Sequence, residues 1–96
     1  MYNNFGKEIR ASREELNLTT LDFIAELKEN GLNISPAYLS RIELNQEVPS
    51  AGVICKLCKI YNWNLPNMLS SAKKQKIFKY IEKMEYLYSI EGWDHD

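Results

Sequence analysis

Ser35-Pro-Ala-Tyr-Leu-Ser-Arg-Ile-Glu-Leu-Asn-Gln-Glu-Val-Pro49 is the stretch on which the reading of this chain turns. Ser35 can cap a helix, its hydroxyl accepting from a backbone N–H that has no partner in the first turn. Pro36 suits the first helical position, where no N–H is needed. Leu39 and Ile42 fall at i and i+3 and anchor one face, and Asn45 is suited to end the helix. The remaining positions carry a methyl (Ala37), a phenol (Tyr38), a hydroxyl (Ser40) and a guanidinium (Arg41). A helix that only supports a core more often shows Lys/Glu pairs to water. These groups instead match base edges and phosphates.

Upstream, Phe5, Ile9 and Leu16 predict a first helix over 5–16, with Arg10, Arg13, Glu14 and Glu15 toward solvent. Thr19-Thr-Leu-Asp22 is a helix start: Thr19 caps, and Asp22 stands three residues on. Leu21, Ile24, Ala25 and Leu27 are the expected buried stripe of that second helix, and Gly31 the residue that ends it. Downstream, Pro49-Ser50 opens a fourth helix with Ile54, Leu57, Cys58 and Tyr61 on one face. Asn64 is read as the cap of a short fifth helix holding Leu65, Met68 and Leu69. From Ser71 the pattern changes. Ile77, Ile81, Met84 and Tyr88 recur at four, three and four residues, close to a heptad seam on a helix of about 20 residues. Two heptads are too short to stand alone, so this helix is expected to pack on its own domain or on a second copy. Gly92 is expected to end it, leaving 93–96 as a frayed tail.

The string Ser35-Pro-Ala-Tyr-Leu-Ser-Arg-Ile-Glu43, followed by Pro49-Ser50 and an apolar helix, resembles the helix-turn-helix of phage repressors, the Cro/cI or XRE family. The similarity runs from about Phe5 to about Ser71. It implies an all-α fold: a repressor-like bundle of four to five short helices plus a longer C-terminal helix. It also implies a DNA-binding domain over 1–71, with 72–92 a dimerisation or packing element. In resembling proteins an arginine of the first helix pairs with the glutamate closing the recognition helix, here Arg13 (or Arg10) with Glu43, as a structural ion pair.

The function this implies is sequence-specific binding of double-stranded DNA by a transcriptional regulator, a repressor of a phage, plasmid or other mobile element. Helix 35–45 would enter the major groove, and two copies would place their recognition helices about 34 Å apart. The candidate DNA-contacting residues are Ser35, Pro36, Ala37, Tyr38, Ser40 and Arg41 on the helix, Asn45 and Gln46 at its end, and Thr19 and Thr20 at the start of the second helix. Thr19 and Thr20 can hold phosphate at a helix N-terminus or serve as ordinary caps, and both roles can coexist. Tyr38 can donate to a phosphate or lie half-buried against the second helix. Ile77, Ile81, Met84 and Tyr88 are the candidate dimer seam.

Composition sets the outer limits. Ninety-six residues with 45% hydrophobic content suit one domain with a core of its own. The net charge is −1, with residues 1–50 acidic (five Lys/Arg, eight Asp/Glu) and 51–96 basic (seven against five). A nucleic-acid binder is usually basic overall, so any electrostatic contribution here is local and salt-dependent. Lys73, Lys74, Lys76 and Lys79 form one basic cluster, either a flanking DNA contact or a solvated face. No apolar run is long enough to span a membrane, and the first residues lack the basic start and apolar core of a secretory signal, so a cytoplasmic protein is expected. Cys55-Lys-Leu-Cys58 has the spacing of a thiol pair, but no second pair accompanies it and the single histidine is His95, so no metal, cofactor or small-molecule ligand is expected. The lack of any nucleophile–base pairing argues against an enzyme. A reading of a different class also stands: a helical protein-interaction adaptor that uses the aromatic C-terminal helix and does not bind DNA.

Overall fold

The computed structural model describes residues 5–91, and every element in it is helical: α1 (Phe5–Glu15), α2 (Thr20–Glu29), α3 (Pro36–Glu43), α4 (Ala51–Tyr61) and α5 (Leu65–Glu91). The expectations placed on Gly92 and the tail 93–96 lie outside the described residues.

The helices begin and end by repeated local devices. Thr19 Oγ1 accepts from the Asp22 N–H at 3.1 Å, Ser35 Oγ from Tyr38 at 3.0 Å, Ser50 Oγ from Val53 at 3.3 Å and Asn64 Oδ1 from Asn67 at 3.0 Å. Each provides an acceptor for a first-turn N–H that the helix itself cannot satisfy. At the other ends, Asn17, Asn45 and Asn62 have φ of 59, 59 and 57°, and Gly31 has 90°. These are left-handed positions, which glycine and asparagine adopt most readily. The following N–H then bonds back across the last turn, Leu18 to the Arg13 carbonyl, Leu32 to Leu27, Gln46 to Arg41 and Trp63 to Cys58.

The core is Phe5 and Ile9 of α1, Phe23 and Leu27 of α2, Leu39 and Ile42 of α3, Ile54, Leu57 and Cys58 of α4, and Met68 and Ala72 of α5, with Leu32 between helices. Two stripes differ from expectation. On α2, Phe23 and Leu27 at i and i+4 turn inward and leave Leu21 and Ala25 exposed. The largest apolar side chain fixes the helix's rotation, because it removes the most surface from water. On α1 the inward position after Ile9 is held by Arg13, which is buried, while Leu16 falls beyond the helix and is exposed.

α1 and α3 meet unusually closely. The Gly6 N–H donates to Asn45 Oδ1 at 2.8 Å, and a Cβ on Gly6 would lie 2.4 Å from the Ile42 carbonyl oxygen and 2.7 Å from that of Glu43. The N-terminus of α1 thus abuts the C-terminus of α3, an arrangement that also opposes their helix dipoles favourably. Phe23, Tyr61 and Trp63 stack in series with centroids 5.5 and 5.2 Å apart. The Tyr61 hydroxyl donates to Glu26, tying α4 to α2.

The expected short fifth helix and the C-terminal helix are one continuous element of 27 residues. Asn64 caps it, Pro66 sits in the first turn where its missing N–H costs nothing, and no Gly or Pro follows until Gly92. Its first turns pack on α4 and α1 through Met68, Ser71, Ala72 and Gln75. Beyond Gln75 no described residue of α5 is buried, and the helix runs past the bundle, giving extents of 57 × 26 × 22 Å. No helix among the described residues is long and apolar enough to cross a membrane.

Candidate nucleic-acid interface

α3 is eight residues long, and its two faces are sharply divided. Leu39 and Ile42 are almost wholly buried, which fixes its rotation, while Ser35, Pro36, Ala37, Ser40 and Arg41 are exposed. Tyr38 is half-buried, beside the apolar core rather than free in water, and its phenol is pushed up from the usual range by that burial and by nearby Glu47, with Arg41 opposing. Leu44 caps the C-terminal end of the helix with 61% of its surface exposed. Ala37, Ser40, Arg41 and Leu44, spaced three and four apart, therefore make one bare strip along α3. Leu44 was readable as the next step of that spacing from Ala37, and sequence reasoning passed over it.

Arg41 is not unengaged on this strip. Its Nε donates to Glu47 Oε1 at 2.9 Å, and its guanidinium carbon lies 5.8 Å from the centre of the Tyr38 ring. Both members of the ion pair remain substantially exposed, at 47 and 40% of the side chain. The pair closes over the turn in which the Gln46 and Glu47 N–H groups both bond to the Arg41 carbonyl. Sequence reasoning did not find Glu47, because it lies beyond the helix and comes back to Arg41 only through the left-handed turn at Asn45.

The Arg13–Glu43 pair is realised, and Arg13 rather than Arg10 makes it. Nε donates to Glu43 Oε2 at 2.8 Å and Nη2 to Oε1 at 3.1 Å, a two-point fork. Nη1 donates to the Leu18 carbonyl at 2.7 Å. Both side chains are about nine-tenths buried. The guanidinium is held above its ordinary range chiefly by the hydrogen bond to Glu43, with burial acting the other way. Arg10 bonds Glu14 one turn on, in water.

The remaining candidates divide. Thr20 and Ser40 line one shallow recess between α1, α2 and α3, together with Arg10, Leu39 and Leu44. Thr19 and Ser35 are exposed, with their hydroxyl oxygens accepting as caps. Gln46 is exposed, whereas Asn45 is half-buried with its side-chain carbonyl held by Gly6. The candidate seam residues Ile77, Ile81, Met84 and Tyr88 share one exposed face of α5, away from this strip in sequence and on a separate element. Cys55 is in solvent and Cys58 in the core, its thiol pushed up by burial and then by Cys55. Among the described residues no group of three or more His, Cys, Asp or Glu could hold a metal ion. No family model, no curated protein and no solved structure matches this chain.

Proposed function

We propose that this protein is a sequence-specific double-stranded DNA-binding regulator of transcription, a repressor of the Cro/cI-type helix-turn-helix class. The observation that carries the reading is the bare strip of α3, with Arg41 set at its surface and Leu39 and Ile42 locking the helix behind it. A rigid element with a guanidinium, a hydroxyl and two apolar groups on its open face suits the major groove. Arg41 supplies a fork for guanine or phosphate, Ser40 a hydrogen bond, and Ala37 and Leu44 contact for thymine methyls. Tyr38 donates its hydroxyl toward a phosphate at the edge. The N-terminus of α2, with Thr19 and Thr20, crosses the backbone beside it, and Arg10 and Ser40 border the same recess. Gln46 reaches the groove wall, while Asn45 acts from behind by holding α1 on α3. Two copies acting together would read a palindrome.

Selection of bound duplexes from a random pool, followed by binding of the winner over a salt series, tests this directly. The expected result is an enriched motif whose affinity falls steeply with salt. Failure to enrich any sequence at low salt overturns it. The adaptor reading is favoured by one feature, the apolar side chains left in solvent along the outer half of α5. Retention of a protein partner by a chain that enriches no DNA would support it.

A further inference from the structure

α4 and α5 form a hairpin about the turn at 62–64, and a groove of about 270 Å3 lies between them toward its open end. Pro49, Ile54 and Ala72, all buried, and half-buried Leu69 make its apolar walls, and exposed Ala51 lines it at the start of α4. Its polar lining is Lys73 and Lys76 of α5, both exposed. Three residues apart on one helix, they share a face, and both ammonium groups can reach one anion. Neither has a side-chain hydrogen bond or ion pair among the described residues, and no acidic side chain lines the groove.

The charge of the chain is segregated in the same place. Residues 48–81 hold six lysines and no Asp or Glu, leaving six Lys/Arg against thirteen Asp/Glu elsewhere. This basic island supplies every residue of the groove. The recess beside Lys56 and Lys59 differs, because Lys56 Nζ donates to the Gly31 carbonyl at 3.3 Å and Asn30 and Gly31 replace an apolar wall.

Unpaired cations over an apolar floor select an apolar body that ends in one negative charge. The volume falls near the lower end of small-molecule sites, about 300 Å3, so it suits one short chain rather than a helix of another protein. The geometry points to a binding site for a medium-chain carboxylic acid, its chain laid between Ile54, Leu69 and Ala72 and its carboxylate held by Lys73 and Lys76. The absence of metal and catalytic patterns, which led the sequence reading to expect no small-molecule ligand, does not bear on such a site. Nor does it rest on the DNA reading, since no nucleic acid enters its test.

Titration of the isotopically labelled full chain with butanoate, hexanoate and octanoate at low salt, followed by methyl NMR, tests the site. Saturable shifts are expected at Ala51, Ile54, Leu69 and Ala72, with affinity rising about two- to fourfold per added CH2. Octylammonium is expected to bind at least about tenfold more weakly than octanoate, because it meets like charge at the rim. The K73A/K76A variant is expected to lose about three- to tenfold in octanoate affinity with its melting temperature unchanged, both side chains being exposed. Ala51→Phe, at an exposed position, is expected to fill the groove and abolish saturation while the circular dichroism stays that of wild type. Octanoate should also raise the wild-type melting temperature, because it binds only the folded hairpin. No saturable shift at roughly 10 mM octanoate overturns the inference. Equal affinity for octanoate and octylammonium, or a K73A/K76A variant that binds like wild type, overturns the role of the lysines. Affinity independent of chain length, or undiminished in Ala51→Phe, overturns the groove as the place of binding.

Discussion

Two arginine–glutamate pairs lie within one helix of each other and do opposite things. Arg13–Glu43 is a two-point fork about nine-tenths buried between α1 and α3, with Nη1 also on the Leu18 carbonyl. Arg41–Glu47 is a single contact of similar length, but nearly half of each side chain stands in water. The chemistry is the same and the surroundings decide the role. In the first, the partners replace water that neither can recover, so the pair is part of the fold. In the second, water or another acceptor can replace Glu47 at little cost, so Arg41 is restrained yet available.

Removing one partner of the buried pair breaks this comparison most severely. Arg13→Ala strands the Glu43 carboxylate and opens the α1–α3 joint, and is expected to lower the stability to urea by about 3–5 kcal/mol. Glu43→Ala is expected to cost a similar amount, and the double variant less than the sum because the stranded charge disappears. Losses below 1 kcal/mol for both single variants would show that the joint does not depend on the fork. The neighbouring crossing gives the next largest effect. Gly6→Ala drives a methyl into the Ile42 and Glu43 carbonyl oxygens, so α1 must retreat from α3. The expected loss is about 1–3 kcal/mol by the same unfolding measurement.

How far these features were legible in the sequence follows from their range along the chain. Ser35 with Pro36, Thr19, Ser50 and Asn64 announce helix starts because a cap is made within three residues of itself. Leu39 and Ile42 were legible for the same reason, since the helical period fixes which residues share a face. Phe23 was missed because two rotations of α2 each offer an apolar stripe, and only the cavity formed by the other helices selects one. The close approach at Gly6 depends on how α1 and α3 cross, which no local pattern encodes. Glu47 depends on the left-handed turn at Asn45. The unbroken course of α5 was legible in the absence of Gly and Pro from 67 to 91, and the change of apolar pattern at Ser71 obscured it. Of the proposed interface, the bare strip was readable and the partner of its arginine was not.

The exposed pair is sharpened rather than broken by substitution. Arg41→Ala touches nothing buried, so the melting temperature is expected to stay within a degree or two of wild type. Binding to the selected duplex is expected to weaken by about 1–3 kcal/mol, with relaxed preference at one base step rather than a uniform loss over all sequences. Fluorescence anisotropy on the selected site and on each single-base variant separates the two outcomes. A uniform loss would make Arg41 a phosphate contact and move the reading of bases to Ser40 and Leu44.

Glu47→Gln gives the smallest effect and bears most directly on the difference between the pairs. The carboxylate both holds Arg41 over Tyr38 and adds a negative charge beside the strip. Replacing it by an amide is expected to cost the fold less than about 1 kcal/mol, because the pair is exposed. The same change frees the guanidinium and removes a repulsion toward phosphate, so affinity for the selected duplex should rise about two- to fivefold at low salt and less at high salt. The gain should shrink in an Arg41→Ala background, where only the repulsion remains to be relieved. An equal gain in both backgrounds would mean that Glu47 acts on the duplex alone and that its contact with Arg41 has no part in binding.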